Sequence, residues 1–223
     1  MKAFKLLGLA LVSAILSGAT TVAADAAALP DLHIALGEAF PATSTGESKK
    51  ASWAFLTPGG TVLTGTGMKL TTTWTGLDSM GTYVLNLSNA AKGVKKCKTS
   101  GDAAGTVLIS GQVNIVFLSL APLTVALLLT VPKTKAECEG LNVTLEGDAL
   151  GSYNGSLNAN ITEYKTAFLC EKGQPVLKKY LDDSGTLVEA VLLSEAGAGF
   201  TKTCFEVGEE LTLKANKMIE VLG

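Results

Sequence analysis

Few residues in this chain of 223 have the type and spacing to do chemistry. Nucleophilic catalysis needs a base beside a Ser or Cys. The single histidine, His33, lies near the N-terminus in a stretch rich in small residues, where it reads as a surface or strand-edge side chain. Carboxylates are the other acid–base candidates. Glu146 and Asp148 stand two apart in an alternating run and share one strand face, as do Glu137 and Glu139 around Cys138. Pairs of this kind serve glycosidases or hold calcium. These sit on the polar, solvated faces of their strands, so Glu146 and Asp148 are retained only as an acidic-face candidate. Asp182-Asp183-Ser184-Gly185 lacks the further oxygen ligands of a calcium loop and reads as a hairpin turn. No Gly-rich phosphate loop opens a helix. The expectation is a non-enzyme with no catalytic residue, no metal and no cofactor.

Cys97, Cys138, Cys170 and Cys204 lack the C-x-x-C pairing of a zinc site, and one histidine cannot complete one. An even number of cysteines in an exported chain argues for disulfides. Three connectivities are open, the simplest joining chain neighbours, Cys97 to Cys138 and Cys170 to Cys204. Each would close a loop worth roughly 4 kcal/mol in the chain-entropy account. The basic residues are all lysine. Without the bidentate arginine fork, nucleic-acid readout and phosphoryl chemistry are disfavoured. Lys92, Lys95, Lys96 and Lys98 cluster, and read as a solvated strand edge that discourages edge-to-edge pairing.

Export is read from the N-terminus. Met1 to Lys5 carries positive charge, an apolar run follows from Leu6 to about Leu16, and small residues lead to Val22-Ala23-Ala24, the pattern of a signal peptide cut after Ala24. That leaves roughly 200 residues, enough for one β domain with a real core or two smaller ones. Residues 25–50 read as a flexible N-terminal segment in which only Leu32 to Leu36 resembles a strand. The β-sandwich or barrel domain is expected over 51–223, with a possible subdomain break near 155–162.

The elements that must position these residues are strands. Val62, Met68, Leu70 and Trp74 share one parity, as do Leu141, Val143, Leu145 and Ala149, and again Leu211, Leu213, Ala215, Ile219 and Val221. The last segment also contains good helix formers. Turn signals at Pro58-Gly59-Gly60, Ser100-Gly101-Asp102, Asn154-Gly155, Glu171-Lys172-Gly173, Asp182 to Gly185 and Glu206-Val207-Gly208 are closely spaced, which favours hairpins. The fold class is therefore all-β, an antiparallel sandwich or barrel with two disulfides. Between Asp102 and Lys133 no residue is charged, and Val113 to Val131 is apolar enough for a membrane span. Alternation up to Ile115 and Pro122 in the middle favour two central strands meeting at Ala121-Pro122. Trp53, Trp74 and Tyr83 offer either an aromatic binding platform or, more commonly, core.

The run from Gly93 through Cys97 to Thr106, the Val125-Ala-Leu-Leu-Leu segment, Ala136-Glu-Cys138-Glu-Gly, Lys172-Gly-Gln-Pro with Tyr180, and Glu195 to Phe200 resemble a group of exported β-rich proteins, of uncharacterised activity, found in many copies in soil actinobacterial genomes. The Cys170 and Cys204 pair is less typical of that group. The resemblance implies an exported or envelope-associated bacterial β protein and transfers no activity. The expected function is a secreted or cell-envelope domain acting by binding or assembly, with an envelope component or its own copies as partner and no nucleic acid. The alternatives are a carrier of an apolar small molecule in a barrel cavity and a secreted hydrolase using paired carboxylates.

Overall fold

The computed structural model describes residues 31–34, 39–76, 79–197 and 199–222. The expected signal peptide, residues 1–24, lies outside the described residues. The strands in chain order are β1 (Asp31–Ile34), β2 (Ala42–Thr57), β3 (Gly60–Trp74), β4 (Met80–Ser88), β5 (Ala91–Lys92), β6 (Lys95–Lys98), β7 (Thr106–Leu120), β8 (Leu123–Cys138) and β9 (Leu141–Ser152). They continue with β10 (Ile161–Thr166), β11 (Cys170–Glu171), β12 (Gln174–Pro175), β13 (Lys179–Leu181), β14 (Leu187–Glu189), β15 (Leu192–Glu195), β16 (Phe200–Val207) and β17 (Leu211–Leu222). Pairing between them is antiparallel, and the chain is all-β with two disulfides, as its alternation and turn chemistry predict.

The sheet closes on itself. Two long hairpins form the frame: β2 pairs β3 from Ala42↔Trp74 to Thr57↔Gly60, and β8 pairs β9 from Ala126↔Ser152 to Cys138↔Leu141. Each of these four strands exchanges its other neighbour midway along. At one end the ring runs β2, β3, β4, β7, β8, β9, β10, β17 and back to β2, with β9 joined to β10 through Ser152 N–H to Ala167 O at 2.8 Å and an Asn154↔Lys165 bridge. At the other end it runs β2, β3, β5, β6, β8, β9, β15, β16 and back to β2. An exchange of partners needs a local break in the ladder. Bulges lie there, between Ser48 and Ser52 in β2 and between Val131 and Thr134 in β8, where Pro132 has no N–H to give.

A ring of about eight strands is just wide enough for side chains to fill. Trp53, Phe55, Leu63, Leu70, Trp74, Ile109 and Leu213 are buried there. Phe205 stacks on Phe55 at 4.9 Å and meets Phe168 at 5.1 Å. The alternation read from the sequence for β3, β9 and β17 is the alternation of burial, and β17 is a strand despite its helix formers.

Three sequence expectations are corrected. First, the sheet does not begin at Ala51. β2 starts at Ala42, inside the segment 25–50 expected to be flexible, and Ala42 and Ser44 are fully buried. Its inward residues Ala42, Ser44 and Gly46 are small because large neighbours fill the space: a Cβ on Gly46 would stand 2.9 Å from a Leu211 side-chain carbon. Second, the stretch 155–162 does not divide the core, since Tyr153 and Tyr164 on either side of it stack at 5.2 Å within a single cluster. Third, the lysines of β5 and β6 do not mark a free edge. β5 is paired to β3 and β6, and β6 to β5 and β8.

The apolar stretch is two strands, β7 and β8, turning through a cis Ala121–Pro122 bond. Among the described residues no helix is long and apolar enough to cross a membrane.

Candidate functional site

The residues singled out in the sequence are scattered. His33 stands in β1 opposite Glu220. Glu146 and Asp148 do share the outer face of β9, and the Asp148 carboxylate accepts a hydrogen bond from the Thr130 hydroxyl at 2.8 Å. Glu137 is ion-paired with Lys135 at 3.5 Å and lies opposite Lys98. Asp182 closes the β13–β14 turn, accepting from Ser184 N at 3.0 Å and Thr186 N at 2.8 Å, and these bonds with the Ser184 hydroxyl hold its carboxyl below the ordinary range. Trp53, Trp74 and Tyr83 are core: Trp53 Nε1 donates to Gly67 O at 3.1 Å and Ser88 O at 3.2 Å. Among the described residues no group of three or more His, Cys, Asp or Glu is placed to hold a metal.

What the fold does bring together is an apolar outer face. Val113, Ile115, Phe117, Val125, Leu127 and Leu129 point into the barrel, which uses up one face of β7 and β8. The opposite face carries Val116, Ala126 and Leu128, continued by Leu150 of β9, and these are buried too. Their cover is the excursion from Cys170 to Ala190, a strap of short strands laid across the wall, with Leu177, Tyr180 and Ala190 packed down on them.

The strap is fastened along its length. The Cys170–Cys204 disulfide ties its start to β16, with Cα atoms 6.0 Å apart. At Gly173, φ is +73° and the backbone lies so close to the β2–β3 turn that a Cβ would stand 2.3 Å from Thr57 O. Leu181 pairs with Phe117 of β7 and Glu189 is ion-paired with Lys202 of β16 at 2.9 Å, while within the strap Ala190 N–H donates to Lys178 O at 2.8 Å. Burial and the nearby carboxylates Asp148, Asp182 and Asp183 push the Tyr180 phenol up.

Cover by the strap is incomplete. Near β15 and β16 a cleft of about 140 Å³ opens between Pro58, Gly173 and Pro175 on one side and Ala190 and Leu192 on the other, with Lys178, Glu189 and Lys202 also lining it. At the β7–β8 end a groove of about 290 Å³ is lined by Leu118, Leu123, Val125, Tyr153, Leu157 and Leu177. Between them a void of about 10 Å³ shares Pro175, Ala190 and Leu192 with the cleft and Leu177 with the groove. Beyond the groove Leu120 is 54% exposed at the hairpin end. Glu189 is held below the ordinary carboxyl range by its hydrogen bond from Lys202 and by the charges of Lys202, Lys179 and Lys178, so three ammonium groups attend one carboxylate.

The sequence shows that this face is apolar but not what covers it. Apolar side chains at both parities of Val113 to Val131 require a cover on each side of the sheet, and nothing local in the sequence names Cys170 to Ala190 as that cover. Comparison of the chain with protein-family models, with curated proteins and with solved structures found no match.

Proposed function

We propose that the protein is an exported, non-enzymatic β-barrel that works by binding an apolar partner on the strapped outer face of β7, β8 and β9. The leader, the oxidised cysteine pairs and the resemblance to exported actinobacterial β proteins support export to the medium or the cell envelope. The observation that carries the binding role is the partly open apolar groove where Leu118 and Leu177 of the covered wall meet Leu123 and Leu157 at the edge of the barrel core. Ligand sites are concave, mostly apolar and bordered by a few polar groups, and this is such a place. The carrier alternative thereby moves from the barrel interior, which large side chains fill, to the outside of the wall. The hydrolase reading is less well supported: Asp148 is engaged by Thr130, and Glu146 stands half-buried on the same outer face.

Titration of the oxidised protein with a neutral apolar fluorophore such as Nile red tests this. Saturable binding to one site is expected, weakened in Leu118→Asp, which places a charge on a half-buried groove residue that packs on the outer wall rather than on the barrel core. Absence of saturable binding, or binding indifferent to Leu118→Asp, would remove the reading.

A further inference from the structure

Resting on that reading, we infer that the ligand is a single-chain anionic amphiphile, a long-chain carboxylate, with its head at Lys178 and Lys202 and its tail running under the strap to the Leu118–Leu157 groove. Three observations converge on this class. The two openings are chemically unlike. The cleft over β15 and β16 is lined by lysines in excess of its one carboxylate, whereas the groove at β7 and β8 is lined chiefly by leucine, valine and tyrosine. A molecule matching both ends is negative at one end and apolar along the rest.

The span suits one chain. The cleft lies beside Leu192 of β15, which pairs with Gly147 of β9, and the groove lies beside Ser152, five residues further along β9, and Val125 of β8. About 17 Å along the strand and, at right angles to it, about 10 Å across two strand spacings make about 19 Å. An extended alkyl chain built on C–C bonds of about 1.5 Å advances about 1.25 Å per carbon and covers that distance in about 15 carbons.

Between the two openings the strap closes over the wall. The void of about 10 Å³ is closed by strap residues Pro175 and Leu177. A water molecule itself needs about 10–15 Å³, so a chain passes only when Leu177 turns aside. Leu177 is half-buried and borders both the void and the groove. It is the side chain whose movement joins the two.

Calorimetric titration of delipidated, oxidised protein with palmitate and with hexadecanol, which share a tail and differ in head charge, tests the assignment. One palmitate per protein is expected, bound at least about tenfold more tightly than hexadecanol. The surface variant Lys178→Gln/Lys202→Gln should lose that preference while binding hexadecanol as before. Leu177→Trp should block both ligands, with near-ultraviolet circular dichroism checking that the strap remains packed. Equal affinity for the two ligands, or a preference that survives the lysine variant, would overturn the amphiphile assignment and leave the apolar face standing. Failure of both ligands to bind would overturn the two together.

Discussion

Tyr153 and Tyr164 stack on each other inside the barrel, yet their hydroxyls stand in opposite situations. Tyr164 is bonded to Thr72 Oγ1 at 3.1 Å, so each of these two buried hydroxyls satisfies the other. The buried Tyr153 hydroxyl has no hydrogen-bond partner among the described residues. Deleting a group that others depend on leaves them unpaired, at about 1–3 kcal/mol each, whereas deleting an unpaired one is neutral or favourable. Chemical denaturation should therefore find Tyr164→Phe destabilised by about 1–3 kcal/mol and Tyr153→Phe unchanged or more stable. A loss in Tyr153→Phe equal to that in Tyr164→Phe would show that ring packing, not hydroxyl pairing, separates them. Burial raises the phenols of Tyr83, Tyr153 and Tyr164 above the ordinary value. Because the folded values lie above the unfolded one, the stability they supply is whole below about pH 10 and is lost as pH rises beyond it. Each should remove about 1.4 kcal/mol per pH unit above that point. Phenolate absorbance should show those three ionising together with unfolding, while Tyr180 on the strap ionises in the folded protein. Independent, gradual titration of the three would contradict their burial.

At the scale of the element, the two disulfides do different work. Cys97 and Cys138 are directly opposite each other in β6 and β8, 4.1 Å apart at Cα, and so fasten one wall strand to the next. Cys170–Cys204 fastens the strap to the wall. Replacing Cys97 and Cys138 by Ala should lower global stability by up to about 4 kcal/mol, read as a shift of the denaturation midpoint. Replacing Cys170 and Cys204 should leave the barrel transition nearly in place and instead admit protease between 171 and 189, where short strands hold few backbone bonds. Equal global losses from the two replacements would mean that strap and barrel unfold as one unit. The strands themselves were legible in the sequence because a half-buried strand writes its two faces in alternate residues, as β3, β9 and β17 do. The start of β2 was not, because Ala42, Ser44 and Gly46 face the core without being large. Hydropathy records what a side chain would gain by burial, not the space its neighbours leave for it.

For the whole molecule, the unreadable quantity was closure. The run from Val113 to Val131 announces a strand pair with two dry faces, but which distant segments dry them depends on a ring of pairings that local periodicity does not carry. The inner face is closed by the barrel and the outer by a strap whose start is tied down by one disulfide, and solubility is therefore expected to depend on redox state. Oxidised, the chain covers Val116, Ala126, Leu128 and Leu150; with the strap released, these four add to the half-buried Leu118 and the exposed Leu120 as apolar surface. Large exposed apolar patches drive association. Refolding under oxidising conditions should yield a soluble species whose intact mass rises by about four hydrogens on later reduction, two per bridge. Refolding with reductant present should yield β structure by far-ultraviolet circular dichroism together with light scattering and dye binding, and the Cys170→Ala/Cys204→Ala variant should reproduce the scattering even under oxidising conditions. If that variant stayed clear and dye-silent, Leu177, Tyr180 and Ala190 would hold the strap by packing alone, and the Cys170–Cys204 bridge would be redundant for covering the wall.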